Sequence, residues 1–161
     1  MHPLLWQMVA AARAEPRCER IVLCTNGVKL PRDSKRLRAW LKRLGTPLTV
    51  KLSFNHHLLE RDPGLAALSI LLKQLAKEAG VDFVLNVRLR PGLDSAVEAA
   101  LDAAGLRTDA NVFQLQAYGF ASDEAWAKPF VVGHDFTLVN PDGSAQGTDL
   151  VQRSEAMRAL R

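Results

Sequence analysis

The feature that most constrains the fold is a regular alternation of apolar strands and amphipathic helices along most of the chain. The predicted strands are residues 20–25, 48–54, 81–89 and 111–117, and the predicted helices are residues 3–14, 33–44, 62–79 and 94–104. Strands that alternate with helices of this length are typical of βα units and a parallel sheet. The repeat of about 30 residues fits a βα unit and not a solenoid. We therefore expect an α/β fold with about four parallel strands, open or curved into a partial (βα) barrel with its helices outside.

Side chains alternate in polarity along the predicted strands. In "LTVKLSFN" the polar set is Thr49, Lys51, Ser53 and Asn55, and in "VDFVLNVRL" it is Asp82, Asn86 and Arg88. Because successive side chains point to opposite faces, one face of the sheet should be apolar and covered by helices, and the other polar. In a curved sheet the polar face would form a wet, ligand-holding interior, since buried polar groups need partners. In an open sheet it would face solvent.

Three short motifs then follow one another in an informative order. The chain opens with Met1-His2-Pro3 and a helix, the first strand ends "IVLCTNG" with Thr25-Asn26-Gly27, and the second ends with Ser53-Phe54-Asn55. Over residues 1–118 this resembles the radical S-adenosylmethionine (radical SAM) enzymes. In that family a Leu-His-Pro segment, a strand ending Thr-Asn-Gly and a strand ending Ser-Leu-Asp occur in the same order.

The resemblance implies a set of binding residues on the strands and their C-terminal turns. Residues implied to bind S-adenosylmethionine are Asn26, Gly27, Ser53, Asn55 and Asn86. Lys51, Arg88, Gln116 and Tyr118 are expected to bind a small-molecule or peptide substrate, and the two cations would suit a substrate or cofactor carboxylate. Asp82 is the alternative partner for these cations, as an internal ion pair.

The cluster motif of the family is missing from this sequence. Radical SAM enzymes hold a [4Fe–4S] cluster with CxxxCxxC, whereas this chain has two cysteines, Cys18 and Cys24, at a different spacing. The resemblance therefore implies the latter part of a barrel from a truncated or partial domain. Its complete parent would carry the cluster and cleave S-adenosylmethionine, and this chain alone should be inactive. The alternative is a non-catalytic α/β module that binds a nucleotide or a protein partner.

Composition and cysteine spacing indicate the cellular compartment that we expect for this chain. The net charge of +4 is mild and selects no class of partner. The spacing of Cys18 and Cys24 is typical of reduced thiols. We expect a cytoplasmic protein without a signal peptide or membrane span. The basic run at 29–43 favours a solvated helix face over an RNA contact.

The side chains of His56 and His57, if this segment is extended, would point to opposite sides, so no metal site is expected there.

Residues 121–161 break the alternating pattern. They predict an appendage to the partial barrel of residues 1–120, made of a β-hairpin within 130–143 and a helix at 149–160. The first strand, "IVLC", contains no proline or inward charge that would protect a sheet edge. We therefore expect a homodimer formed through this edge, unless the hairpin covers it.

Overall fold

The computed structural model describes residues 3–115, 138–139 and 145–146, which divide into two compact units. The first unit comprises Met1–Leu89 and Asp94–Phe113, and the second comprises Arg90–Leu93 and Gln114–Arg161. All the sheet and helix contacts described below, apart from one short strand pair, belong to the first unit.

The first unit repeats helix and strand in the predicted order. Its elements are α1 (Leu5–Ala14), β1 (Val22–Thr25), α2 (Ser34–Leu44), β2 (Thr49–Phe54), α3 (His56–Arg61), α4 (Leu65–Ala79), β3 (Asp82–Leu89), α5 (Ser95–Ala103), a single 3-10 turn (Arg107–Asp109) and β4 (Ala110–Gln114), whose last residue is assigned to the second unit. The strands lie in the order β1-β2-β3-β4, and β2 pairs in parallel with both β1 and β3. The expected α/β fold with a four-stranded parallel sheet is therefore confirmed.

Local capping explains where two of these helices begin and end. The Asp33 carboxylate accepts a hydrogen bond of 2.8 Å from the backbone N–H of Arg36, which satisfies one of the donors that the start of α2 leaves free. Gly80 ends α4 in the left-handed conformation, with φ of 67°. Glycine adopts this conformation without the steric penalty of a Cβ atom.

The helices pack against one another and against the sheet. α2 contacts α4, α4 contacts β3, and α1 packs against α2. The core between these helices and the strands consists mainly of inaccessible aliphatic side chains, including Leu37, Leu41, Leu44, Val50, Leu52, Leu72 and Leu85. Burying one such leucine contributes about 1.5–3 kcal/mol, so this layer is the main source of stability in the unit.

The connection after β2 differs from the expected single helix. The predicted helix from Asp62 begins at Leu65, and a separate short helix, α3, starts at His56. The Asn55 side chain accepts a hydrogen bond from the Leu58 N–H, and the Asp62 side chain accepts one from the Gly64 N–H. The first contact starts α3 and the second forms the turn before α4. The expectation that His56-His57 is extended is therefore wrong.

Most of the predicted C-terminal elements lie outside the described residues. β5 (Leu138–Val139) and β6 (Ala145–Gln146) form an antiparallel pair. β5 lies within the hairpin predicted at 130–143, but its partner β6 lies beyond it, so this pair is not the predicted one. The other residues of the predicted hairpin, and the helix predicted at 149–160, lie outside the described residues.

Among the described residues, no helix combines the length and the apolar character needed to cross a membrane.

Candidate functional site

The sheet has two chemically different faces, as the alternating pattern predicts. Along β2, Val50, Leu52 and Phe54 are inaccessible to solvent, whereas Lys51 and Ser53 between them are half-buried. β3 repeats the pattern, with Leu85 and Val87 inaccessible, Asn86 half-buried and Arg88 exposed. We call the side that carries Lys51, Ser53, Asn86 and Arg88 the polar sheet face.

Strand register brings the polar residues of neighbouring strands side by side. Ser53 lies directly opposite Asn86, and Lys51 lies between Cys24 of β1 and Val84 of β3. Residues opposite one another in a parallel pair project to the same face. Ser53 and Asn86 therefore form one row of the polar sheet face, next to a row that carries Lys51.

A third row forms where the strands end. Asn55 directly follows Phe54, and Arg88 directly follows Val87, which is the partner of Phe54. The Asn55 carboxamide oxygen accepts a 3.0 Å hydrogen bond from the Leu58 N–H and so caps α3. Its NH₂ group is then the part of this side chain that suits a ligand acceptor.

The turn after β1 is built largely from its own polar groups. The Gly27 N–H donates to Thr25 Oγ1 at 3.1 Å, and the Val28 N–H donates to Asn26 Oδ1 at 3.2 Å. Gly27 has a φ of 76°, and a Cβ there would lie 2.9 Å from Leu52 Cδ1. The Thr-Asn-Gly sequence is thus required by the turn itself, whatever else Asn26 and Gly27 bind.

A long-range contact holds this turn in place. Arg32 Nη2 donates to the Gly27 carbonyl at 3.2 Å and to Asp62 Oδ2 at 2.6 Å. It therefore ties the turn after β1 to the turn before α4. Arg32 and Asp62 are 30 residues apart, and no local pattern in the sequence predicts their contact.

The charges on the polar sheet face remain available for a ligand. Within residues 3–115, the ion pairs use other cations such as Arg32, Arg38 and Lys73, and neither Lys51 nor Arg88 pairs with Asp82. A hydroxyl, a carboxamide and two cations on one face can bind sugar-like hydroxyls and a carboxylate. Gln116 and Tyr118 lie outside the described residues.

The cysteines do not converge on this face as cluster ligands. Cys18 precedes β1 and its thiol lies 3.6 Å from the Arg20 carbonyl oxygen, whereas Cys24 is within β1 and exposed. In the described part of the chain, no three His, Cys, Asp or Glu side chains come together in a way that could hold a metal ion. A [4Fe–4S] cluster therefore does not fit the described residues.

Comparisons of the chain with protein-family models, curated proteins and solved structures find no match. The geometry of the polar sheet face is therefore the basis for assigning a function.

Proposed function

We propose that this chain is the nucleoside-binding portion of a radical SAM-type domain and that its polar sheet face binds S-adenosylmethionine. The observation that carries the proposal is the placement of Ser53 directly opposite Asn86 at the C-terminal half of a parallel sheet. Ligands of α/β folds bind at this end of the strands. The order of Thr25-Asn26-Gly27 and Ser53-Phe54-Asn55 along the chain supports the same family.

A partial barrel is the form of the sheet that we propose with this function. Successive βα units put their helices on one face when the sheet curls. The contact between α2 and α4, together with the inaccessible Leu52 and Val87 beneath them, supports this arrangement. The polar sheet face would then be the concave side of the partial barrel.

Each polar residue has a proposed role. The Ser53 hydroxyl and the Asn86 carboxamide suit the ribose and adenine of the cofactor, with Asn26, Gly27 and Asn55 at the surrounding turns. Lys51 and Arg88 suit a carboxylate of the cofactor or of the substrate. Gln116 and Tyr118 complete the proposed substrate-binding set.

The chain is proposed to bind the cofactor and not to cleave it. In the family the cluster supplies the electron for cleavage, and the protein positions the reacting groups. Cys18 and Cys24 are the only cysteines of the sequence and lack the CxxxCxxC spacing. A complete parent that carries this motif would supply the cluster.

Calorimetric titration with S-adenosylmethionine tests the proposal. Ser53→Ala and Asn86→Ala should each weaken binding by about three- to ten-fold, the usual effect of losing one hydrogen bond. Thr108→Ala removes an exposed hydroxyl in the 3-10 turn before β4, is the matched control, and should leave the affinity unchanged. No binding at millimolar concentration, or an equal effect of the control, would contradict the proposal.

Iron content tests the proposal that this chain does not hold a cluster and does not cleave the cofactor. After anaerobic reconstitution with iron and sulfide, the purified chain should be colourless and should not cleave S-adenosylmethionine. A brown protein with several irons per chain would show that the cluster ligands have been misjudged.

A non-catalytic module that binds a nucleotide is the second candidate, and the lack of a CxxxCxxC motif in the sequence favours it. Tighter binding of ATP than of S-adenosylmethionine in the same titration would support this candidate.

A further inference from the structure

A separate pocket lies on the helix-covered side of the first unit. It has a volume of about 220 Å³ and opens between α1, the C-terminal half of β1 and α2. Leu23 and Thr25 line it, and their β2 partners Val50 and Leu52 belong to the apolar face of the sheet. Cys24, whose β2 partner is Lys51, and Asn26 of the proposed cofactor-binding set also line the pocket. The pocket therefore adjoins the polar sheet face, and its apolar part lies on the opposite side of β1.

The walls of the pocket are mainly apolar. They are formed by Leu5 of α1, Leu23 of β1, Leu30 in the segment before α2, and Trp40 of α2. Leu5, Leu30 and Trp40 also belong to the hydrophobic core, so these walls are held by packing within the unit. A cavity of about 150 Å³ with similar walls holds benzene. The larger volume here suits a phenyl ring with a short chain, or a hydrocarbon chain of about eight carbons.

The polar end of the pocket is positively charged. Lys29 is the one charged side chain among its described lining residues, and the polar residues Thr25 and Asn26, four and three positions earlier in the sequence, also line the pocket. Two nearby cations are already engaged, because Arg32 pairs with Asp62 and Arg43 lies over the Trp6 ring at 4.3 Å. Within residues 3–115, Lys29 forms no ion pair, so its ammonium can complement an anion at the mouth.

We propose that this pocket binds a small apolar carboxylate, with its hydrocarbon or aryl group among Leu5, Leu23, Leu30 and Trp40 and its carboxylate at Lys29. A mainly apolar cavity with one cation among its lining residues favours a ligand that has both a hydrocarbon group and a negative charge. A neutral ligand would lack the charge interaction, and a larger anion would exceed the volume. The proposal does not depend on the proposed function of the polar sheet face.

Binding of 4-phenylbutyrate to the full chain tests the proposal, with 4-phenylbutyramide as the neutral isostere. Calorimetry measures the affinity, and leucine methyl NMR spectra report which residues the ligand contacts. Lys29→Met should weaken phenylbutyrate binding by about five-fold, as expected for an exposed ion pair. Lys35→Met removes an exposed lysine that does not line the pocket, and it should leave binding unchanged.

Occlusion of the pocket provides the second test. Leu23→Trp should abolish phenylbutyrate binding, and circular dichroism verifies that this variant is folded. If it does not fold, the comparison of Lys29→Met with Lys35→Met decides the question alone. Equal binding of the amide and the carboxylate would overturn the proposal. So would equal effects of the two lysine substitutions, or no methyl shifts up to the solubility limit of the probe.

Discussion

The side chains of His56 and Asp94 face each other in the interior of the first unit, with 3.6 Å between His56 Nδ1 and Asp94 Oδ2. Their side chains are 7% and 2% exposed, respectively. His56 begins α3, directly after β2, and Asp94 precedes α5, after β3. The pair therefore links the two connections that leave the strands carrying Ser53 and Asn86.

Removing one member of this pair should destabilise the protein. Asp94→Asn replaces a buried carboxylate that faces His56, and we expect it to lower the free energy of unfolding by about 1–3 kcal/mol. Urea denaturation of Asp94→Asn, His56→Gln and the double variant measures the coupling between the two side chains. Additive effects would show that the two side chains do not interact.

Gly27 should tolerate a side chain less well than another glycine with similar backbone geometry. Gly27→Ala places a Cβ 2.9 Å from Leu52 Cδ1 and 3.1 Å from Leu68 Cδ2, whereas a Cβ at Gly105 has no neighbour within 4 Å. Because both glycines have positive φ, both substitutions should cost about 1–2 kcal/mol in backbone strain. Crowding should add about 1–3 kcal/mol at Gly27 alone. Equal unfolding midpoints for the two variants in urea would contradict this packing argument.

Asn55 combines a structural role with a proposed ligand-binding role, and two substitutions separate them. Asn55→Ala removes the cap of α3 and should reduce stability by about 1 kcal/mol. Asn55→Asp keeps a capping oxygen but loses the NH₂ donor, so stability should stay close to wild type while S-adenosylmethionine binding weakens. Thermal unfolding and calorimetric titration measure the two effects. Unchanged affinity in Asn55→Asp would restrict this residue to its capping role.

The pKa of Asp102 should depend on Arg107. The Arg107 guanidinium donates to both carboxylate oxygens of Asp102, at 2.7 and 2.8 Å, and lowers the pKa of Asp102 from its ordinary value of 3.8. A lowered folded-state pKa stabilises the fold above the ordinary value, and the contribution is lost as the pH falls through the folded-state pKa. Carboxyl ¹³C NMR titration should show the Asp102 pKa rising in Arg107→Gln. Arg61→Gln serves as the control and should leave it unchanged.

The edge of the sheet at β1 predicts self-association. β1 is the terminal strand in the order of the described sheet, and its Val22 and Cys24 side chains are exposed. An unprotected edge strand can pair with a second copy. Light scattering during size exclusion, in reducing buffer, should give a mass close to twice the 17.7 kDa of one chain. Val22→Lys should shift the protein to monomer, whereas Val112→Lys in β4 should not. A monomer mass for the unmodified chain across a dilution series would rule out the dimer.

Local sequence patterns predicted most of the first unit correctly. The capping residues Asp33 and Gly80 lie where the pattern expects them, because capping depends on groups within one turn of the helix. The polar face at Lys51 and Ser53 was also predicted, because alternation with a period of two residues is a property of the strand itself. The start of α4 was missed, since the turn at Asp62 and Gly64 competes with continuation of the helix.

The pattern of strands and helices and the identity of the polar strand residues were thus determined by the sequence itself, through interactions between near neighbours. The parallel sheet was expected from the order of these elements. Only the tertiary structure decided that Ser53 lies opposite Asn86, that Arg32 bridges Gly27 and Asp62, and that Lys29 lines a mainly apolar pocket. The physical reason is the same in each case. Strand register and helix packing bring together residues that are far apart in the chain. Both depend on burial of the shared core around Leu52. No local sequence pattern encodes that burial.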